Sequence, residues 1–249
     1  MRKLYLDIGN TRAKWLLDEG CQFKRGWVEL GKGVDKEALQ AIADDVCFVA
    51  VSCVKDDEYV KTLASRVNDV WGVVLSVAVT SAAQLGLTCA YDEPSRLGID
   101  RWLVMLAAWN RYKTPLCIVD CGSAITIDLV ASNGLHMGGY ILPGLRLGVE
   151  SLLRGTDKIL VDFDNLNEAT LSAGQNTTEA VYNGALFSLD ASVNAAMRML
   201  RKECQGESCS LLLTGGDGRL LSELTTLESV YDEDLVLHGL KLYFDNTKS

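Results

Sequence analysis

Short apolar runs closed by polar turns open the chain: KLYLDIG (residues 3–9), AKWLLDE (13–19) and FKRGWVEL (23–30) each read as a strand. DKEALQAIADD (35–45) changes to helical spacing, and CFVAVSCV (47–54) returns to a short buried strand. DEYVKTLASRVND (57–69) predicts a second helix and GVVLSVAV (72–79) a further strand. GIDRWLVMLAAWNRY (98–112) is a strong helical pattern, stopped before Pro115, which cannot donate to a helical ladder. Such alternation of strands and helices predicts an α/β architecture, a sheet covered by helices.

The opening pattern then recurs. PLCIVDCGSAITIDLVAS (115–132) is again strand, Asp-x-Gly turn and strand, so that Asp7, Gly9 and Asn10 correspond in order to Asp120, Gly122 and Ser123. HMGGYILPG (136–144) follows as a third strand, as FKRGWVEL follows the first hairpin. A long helix is expected over 178–203, where Val181, Ala185, Leu189, Val193, Met197 and Leu200 recur at spacings of three or four. SLLLTGGDG (210–218) reads as a strand ending in a glycine-rich turn, and DEDLVLHGLKLYF (232–244) as a closing helix. The chain thus divides into two related halves, 1–114 and 115–249, expected to pack closely and share a cleft.

Composition narrows the classes. A content of 48% hydrophobic and 23% charged residues over 249 positions suits a globular protein with a real core. A formal charge of −9 argues against a nucleic-acid partner, since phosphate backbones select basic patches. It leaves room for a nucleotide, which needs only a local site. No run reaches the roughly 20 apolar residues of a membrane span, so no membrane association is expected. The early first strand leaves no room for a signal peptide, and the 8 cysteines lack zinc or disulfide-scaffold spacing. The expected compartment is the cytoplasm.

The polar residues between the first two strands are the leading candidates for chemistry. Gly9 lets the backbone approach a ligand, Asn10 and Thr11 add polar groups, Lys14 adds a cation, and Asp7 can order water around magnesium. The other reading, an ordinary hairpin turn, weakens once the second copy at Asp120–Ser123 is considered. Thr214, Gly215, Gly216 and Asp217 offer a flat backbone on which a base or phosphate can lie. Asp100, near the start of a helix with Arg96 and Arg101 close by, is either a helix N-cap or a general base. His136 and His238 stand alone and read as structural. Arg146 and Arg154 read as surface charges on a helix, and Asp162 and Asp164 as loop.

Paired Asp-x-Gly hairpins in a duplicated α/β chain resemble the actin, hexokinase and Hsp70 ATPase superfamily. DIGNTRAK, YDEPSRLGIDR, DCGSAITID, GGYILPGLRLG, SAGQNTTEAVYNG and TGGDG, in that order over nearly the whole chain, are similar to the type III pantothenate kinases. That resemblance implies two ribonuclease H-like halves with an ATP cleft between them, and phosphorylation of pantothenate in the first step of coenzyme A synthesis. It implies ATP with Mg²⁺, a monovalent cation (K⁺ or NH₄⁺) and a homodimer. By motif, Asp7, Ile8, Gly9, Asn10, Thr11, Arg12, Ala13 and Lys14 would bind ATP, with Ser123, where the family commonly has threonine. Tyr91, Gly98, Ile99, Asp100 and Arg101 would hold pantothenate, with Asp100 as base. Asp120 would ligand the monovalent cation. Thr177, with Thr178 beside it, would complete the pantothenate site across the dimer interface. Two other readings stand beside this one: a superfamily kinase acting on another small hydroxylated substrate, and a non-enzymatic accessory factor in transcription.

Overall fold

The computed structural model describes residues 1–30, 33–156, 161, 166 and 168–246. The first sheet is built from β1 (Lys3–Ile8), β2 (Arg12–Asp18), β3 (Phe23–Glu29), β4 (Phe48–Cys53) and β5 (Leu75–Val77) in the order β3-β2-β1-β4-β5. β1, β2 and β3 pair antiparallel, and β4 and β5 are added in parallel. Helix α1 (Lys36–Ile42) precedes β4, and α2 (Asp57–Trp71) joins β4 to β5. Both helices begin where the sequence supplies an aspartate cap: Asp35 accepts from the Ala38 N–H and Asp56 from the Tyr59 N–H. α2 stops at Gly72, whose φ of 68° is easy only for glycine. Leu4, Leu6 and Ile8 of β1 meet Val49 and Val51 of β4, with Leu39 of α1 and Leu63 and Val67 of α2 closing that core.

Two short strands, β6 (Ala83–Gln84) and β7 (Leu87–Thr88), precede α3 (Ile99–Tyr112). The second sheet then repeats the first. Its strands are β8 (Leu116–Cys121), β9 (Ala124–Val130), β10 (His136–Pro143), β11 (Ser210–Thr214) and β12 (Val230–Tyr231), in the order β10-β9-β8-β11-β12. Between β10 and β11 run α4 (Leu145–Arg154) and the long α5 (Thr177–Glu203), whose Leu186, Leu189, Val193 and Leu200 pack on Val119, Ile127 and Leu213. Asn176 caps α5 by accepting from the Glu179 N–H, and Glu179 in return accepts from the Gln175 N–H. α6 (Gly218–Leu224) and α7 (Leu235–Asp245) complete the chain.

The expected strand over 72–79 shrinks to Leu75–Val77, because this edge is little buried: Val74 is 82% and Val79 61% exposed. A larger difference concerns the division of the chain. One compact unit comprises Met1–Gln84, Tyr91–Ala107 and Asp234–Ser249, the other Leu85–Ala90 and Ala108–Glu233. The halves 1–114 and 115–249 read from chain order therefore exchange segments, and the closing helix α7 belongs to the first unit. There it packs against β1, β2 and β4, and Phe244 meets Phe48 edge-on at 5.6 Å. Gly239 sits so close to the Leu103 backbone that no side chain fits. Lys241 pairs with Asp18 at 2.9 Å and Asp245 at 2.6 Å.

Candidate functional site

In the first unit the β1–β2 hairpin carries the first group of predicted residues. Asp7 lies opposite Lys14 and Ile8 opposite Ala13, and the Gly9 N–H donates to the Arg12 carbonyl at 3.1 Å to close the turn. Alternation puts Ile8 and Ala13 into the core and leaves Asp7 and Lys14 on the other face of the sheet. Asn10, Thr11 and Arg12 are exposed at the tip. The Arg12 guanidinium lies 4.4 Å from the centre of the exposed Trp27 ring, a cation–π contact that stiffens a long side chain. Lys55, two residues past β4, donates from Nζ to the Asn10 carbonyl at 3.0 Å. The turn is thus ringed by Arg12, Lys14 and Lys55, a setting for anionic phosphates.

Tyr91 and the Gly98–Arg101 run belong to the same unit. The Trp102 N–H donates to the Gly98 carbonyl at 3.1 Å, which makes Gly98 the residue that enters the helix. Asp100 is the second residue of α3, inside its first turn, where a carboxylate complements the helix dipole. The N-cap position falls on Gly98, while Asp100 Oδ1 accepts from the Arg101 N–H at 2.8 Å, so the carboxylate also satisfies one amide of the first turn. Arg101 is only 5% exposed, and its Nη1 donates to the Tyr91 hydroxyl at 3.0 Å.

The second unit holds the other predicted group. Asp120 lies opposite Thr126, and the Gly122 N–H donates to the Ala124 carbonyl at 3.2 Å, a turn tighter than the first. Ser123 is exposed at its tip, and its carbonyl accepts from the Gly144 N–H that leads into α4. The TGGDG turn closes on this hairpin. Gly215 has φ of 83°, and a Cβ there would stand 2.5 Å from Asp120 Oδ1 and 2.6 Å from the Cys121 carbonyl. The Asp217 N–H donates to that same carbonyl at 3.1 Å, and the Tyr231 hydroxyl donates to the Gly215 carbonyl. Burial pushes the Asp217 carboxyl above its ordinary range.

Thr177 is the exposed first residue of α5, with the half-buried Thr178 next. His136 is fully buried against Asp128 at 3.0 Å, while His238 is exposed on α7. Arg146 and Arg154 both reach Glu150 on the exposed side of α4. Asp162 and Asp164 lie outside the described residues. Among the described residues no three His, Cys, Asp or Glu side chains gather as a metal site. Burial pushes the Cys117 thiol up to about 12 and raises that of Cys121 too, so these strand cysteines pack as apolar groups. Sequence reading missed Lys55, Trp27 and Ser52, which reach the first hairpin only through strand pairing. The available signal was position, since ligands gather at the carboxyl ends of parallel strands such as β4.

Two copies of the 3-2-1-4-5 sheet, each opening on an Asp-x-Gly hairpin, define the actin-like ATPase fold. A solved structure of a ROK family glucokinase from Streptomyces griseus, in complex with glucose and AMPPNP, shares it with a TM-score of 0.51 at 10% identity, over 99% of this chain and 100% of its own. So does a Baf family transcriptional activator from Campylobacter jejuni, with a TM-score of 0.61 at 22% identity over 98% of each chain. At these identities the likeness shows the fold alone. A model of the family Type III pantothenate kinase matches residues 3–199. A Type III pantothenate kinase from Chromohalobacter salexigens is 39% identical over 253 residues, covering 98% of this chain and 88% of its own. The chain belongs to the type III pantothenate kinases, and it is an enzyme, a kinase.

Proposed function

We propose that this kinase transfers the γ-phosphoryl group of ATP to the primary hydroxyl of pantothenate, giving 4′-phosphopantothenate and ADP. The observation that carries the reading is the start of α3, where Asp100 adjoins a buried Arg101 held on Tyr91. Asp100 accepts the hydroxyl proton as the oxygen attacks phosphorus. Tyr91, Gly98, Ile99 and Arg101 hold pantothenate, and a buried guanidinium suits its carboxylate. Residues Asp7 to Lys14 take the ATP phosphates, and Ser123 contacts the nucleotide.

A hard carboxylate oxygen at Asp7 beside a cation-ringed turn fits a magnesium nucleotide, with Asp7 ordering water around the metal. Magnesium neutralises charge on the phosphates when bound. The chain's own contribution is positioning and electrostatics, which phosphoryl transfer mainly requires. Asp120 ligands a monovalent cation, K⁺ or NH₄⁺. The protein works as a cytoplasmic homodimer in which Thr177 completes the partner's pantothenate site. Exposed Phe187 and Met199 on α5, with the small residues Ala180 and Gly184 on the same helix, support a helix-mediated interface.

ADP release, measured with and without pantothenate in potassium, ammonium and sodium buffers, tests this reading. Pantothenate-dependent release favouring potassium or ammonium is expected. Equal rates in all three buffers remove Asp120 from its role, and no dependence on pantothenate overturns the substrate. Sedimentation as a fully active monomer at micromolar concentration overturns the dimer.

A further inference from the structure

The parallel register of β1 and β4 sets Ser52 directly beside Asp7. Leu6 and Ile8 on β1 and Val51 on β4 turn to the core of α1 and α2, so Asp7 and Ser52 share the opposite face, on strands about 4.8 Å apart. Ser52 is 0% exposed, and its Oγ has no hydrogen-bond partner among the described residues. Its neighbours Val49, Ala50 and Val51 are the apolar residues a buried strand favours. A buried hydroxyl without a partner works against folding, and a functional role is one reason such a group is retained.

Asp7 has one neighbour on each side: Lys14 on β2 and Ser52 on β4. Anionic phosphates compete for the Lys14 charge, and the Ser52 hydroxyl is a donor on the same face of the sheet beside the carboxylate. We propose that Ser52 is a positioning residue for Asp7: with a magnesium nucleotide bound, its hydroxyl donates to the Asp7 carboxylate and holds it toward the metal's water. The proposal rests on the nucleotide-binding reading of the β1–β2 hairpin and extends it to the end of β4.

The test is Ser52→Ala in the full-length protein, read by melting temperature without ligand and by calorimetric binding of AMPPNP in magnesium and in EDTA. The ligand-free melting temperature is expected to hold or rise, because the alanine removes an unpartnered hydroxyl. The Kd for AMPPNP in magnesium is expected to weaken about 10- to 100-fold, the range for a hydrogen bond to a charged group. In EDTA the variant and wild type should bind alike. A lower ligand-free melting temperature, an unchanged Kd in magnesium, or equal weakening in EDTA overturns the proposal. Wild-type protein that binds AMPPNP with magnesium yet leaves pantothenate untouched would sink the substrate assignment while leaving Ser52 under test.

Discussion

Arg101 donates to the hydroxyl of Tyr91 across 3.0 Å, and its guanidinium carbon lies 5.9 Å from the centre of that ring. At 5% exposure the cation is nearly out of water, a position tolerated only with partners. Arg101 is therefore held in place before any substrate arrives. We expect Tyr91→Phe to keep the ring and lose the hydrogen bond, raising KM for pantothenate about 2- to 12-fold, the range for about 0.5–1.5 kcal/mol. A change in kcat with KM unmoved would show that the pair does not serve substrate binding.

Asp100 sits inside the first turn of α3, with Gly98 in the capping position. Asp100→Asn should thus leave the melting temperature nearly unchanged and retain ATP binding. Turnover is expected to fall about 10²- to 10⁴-fold, the usual general-base contribution, and nearer the lower end for a loose phosphoryl transition state. A variant with normal turnover and early unfolding would reduce Asp100 to a structural residue.

Gly215 couples a φ of 83° to a backbone approach that leaves no room beside Asp120 Oδ1. Gly215→Ala would meet a left-handed conformation costing about 1–2 kcal/mol and would force the TGGDG turn off the β8–β9 hairpin. A lower melting temperature together with weaker nucleotide binding is expected. Thermal unfolding and calorimetry check it, and wild-type values in both would remove the turn from the nucleotide site.

Lys241 ties the closing helix to the first unit through Asp18 and Asp245. Burial disfavours its charge, but the hydrogen bonds it donates to both carboxylates outweigh that and hold its pKa above the usual 10.5. Burial likewise opposes ionisation of Asp18 and Asp245, yet the Lys241 bonds hold both below the usual 3.8. The carboxylates contribute stability that is present above 3.8 and is lost as pH falls through their folded values. The lysine contributes stability that is present below 10.5 and is lost as pH rises through its own. Lys241→Met should therefore lower the melting temperature by a few degrees at neutral pH, with the deficit shrinking in strong acid. A deficit independent of pH would assign the effect to packing.

Most elements were legible locally. Caps at Asp35, Asp56 and Asn176, the break before Pro115 and the recurrence of Asp-x-Gly are written in adjacent residues, because turns and helix ends depend on a few neighbouring dihedrals and side chains. The recurrence alone led to two sheets, and the motif order led to the kinase family. The two roles of Asp100 were equally legible in the sequence; what it did not show is that the N-cap position falls on Gly98 while the Asp100 carboxylate accepts from the Arg101 N–H. The weak patterns failed where burial was slight, as at β5, or where elements were very short, as at β12.

Tertiary structure decided what depends on residues distant in sequence. Ser52 stands beside Asp7, and Lys55 reaches Asn10, only because β4 pairs in parallel with β1 at one register. Gly215 meets Asp120 because β11 is laid against β8 by a crossover that includes α5. α7 joins the first unit because its apolar face and Gly239 fit β1, β4 and Leu103 there, whatever its place in chain order. The alternation of a strand determines which of its side chains share a face; strand pairing alone determines which strand supplies the neighbour.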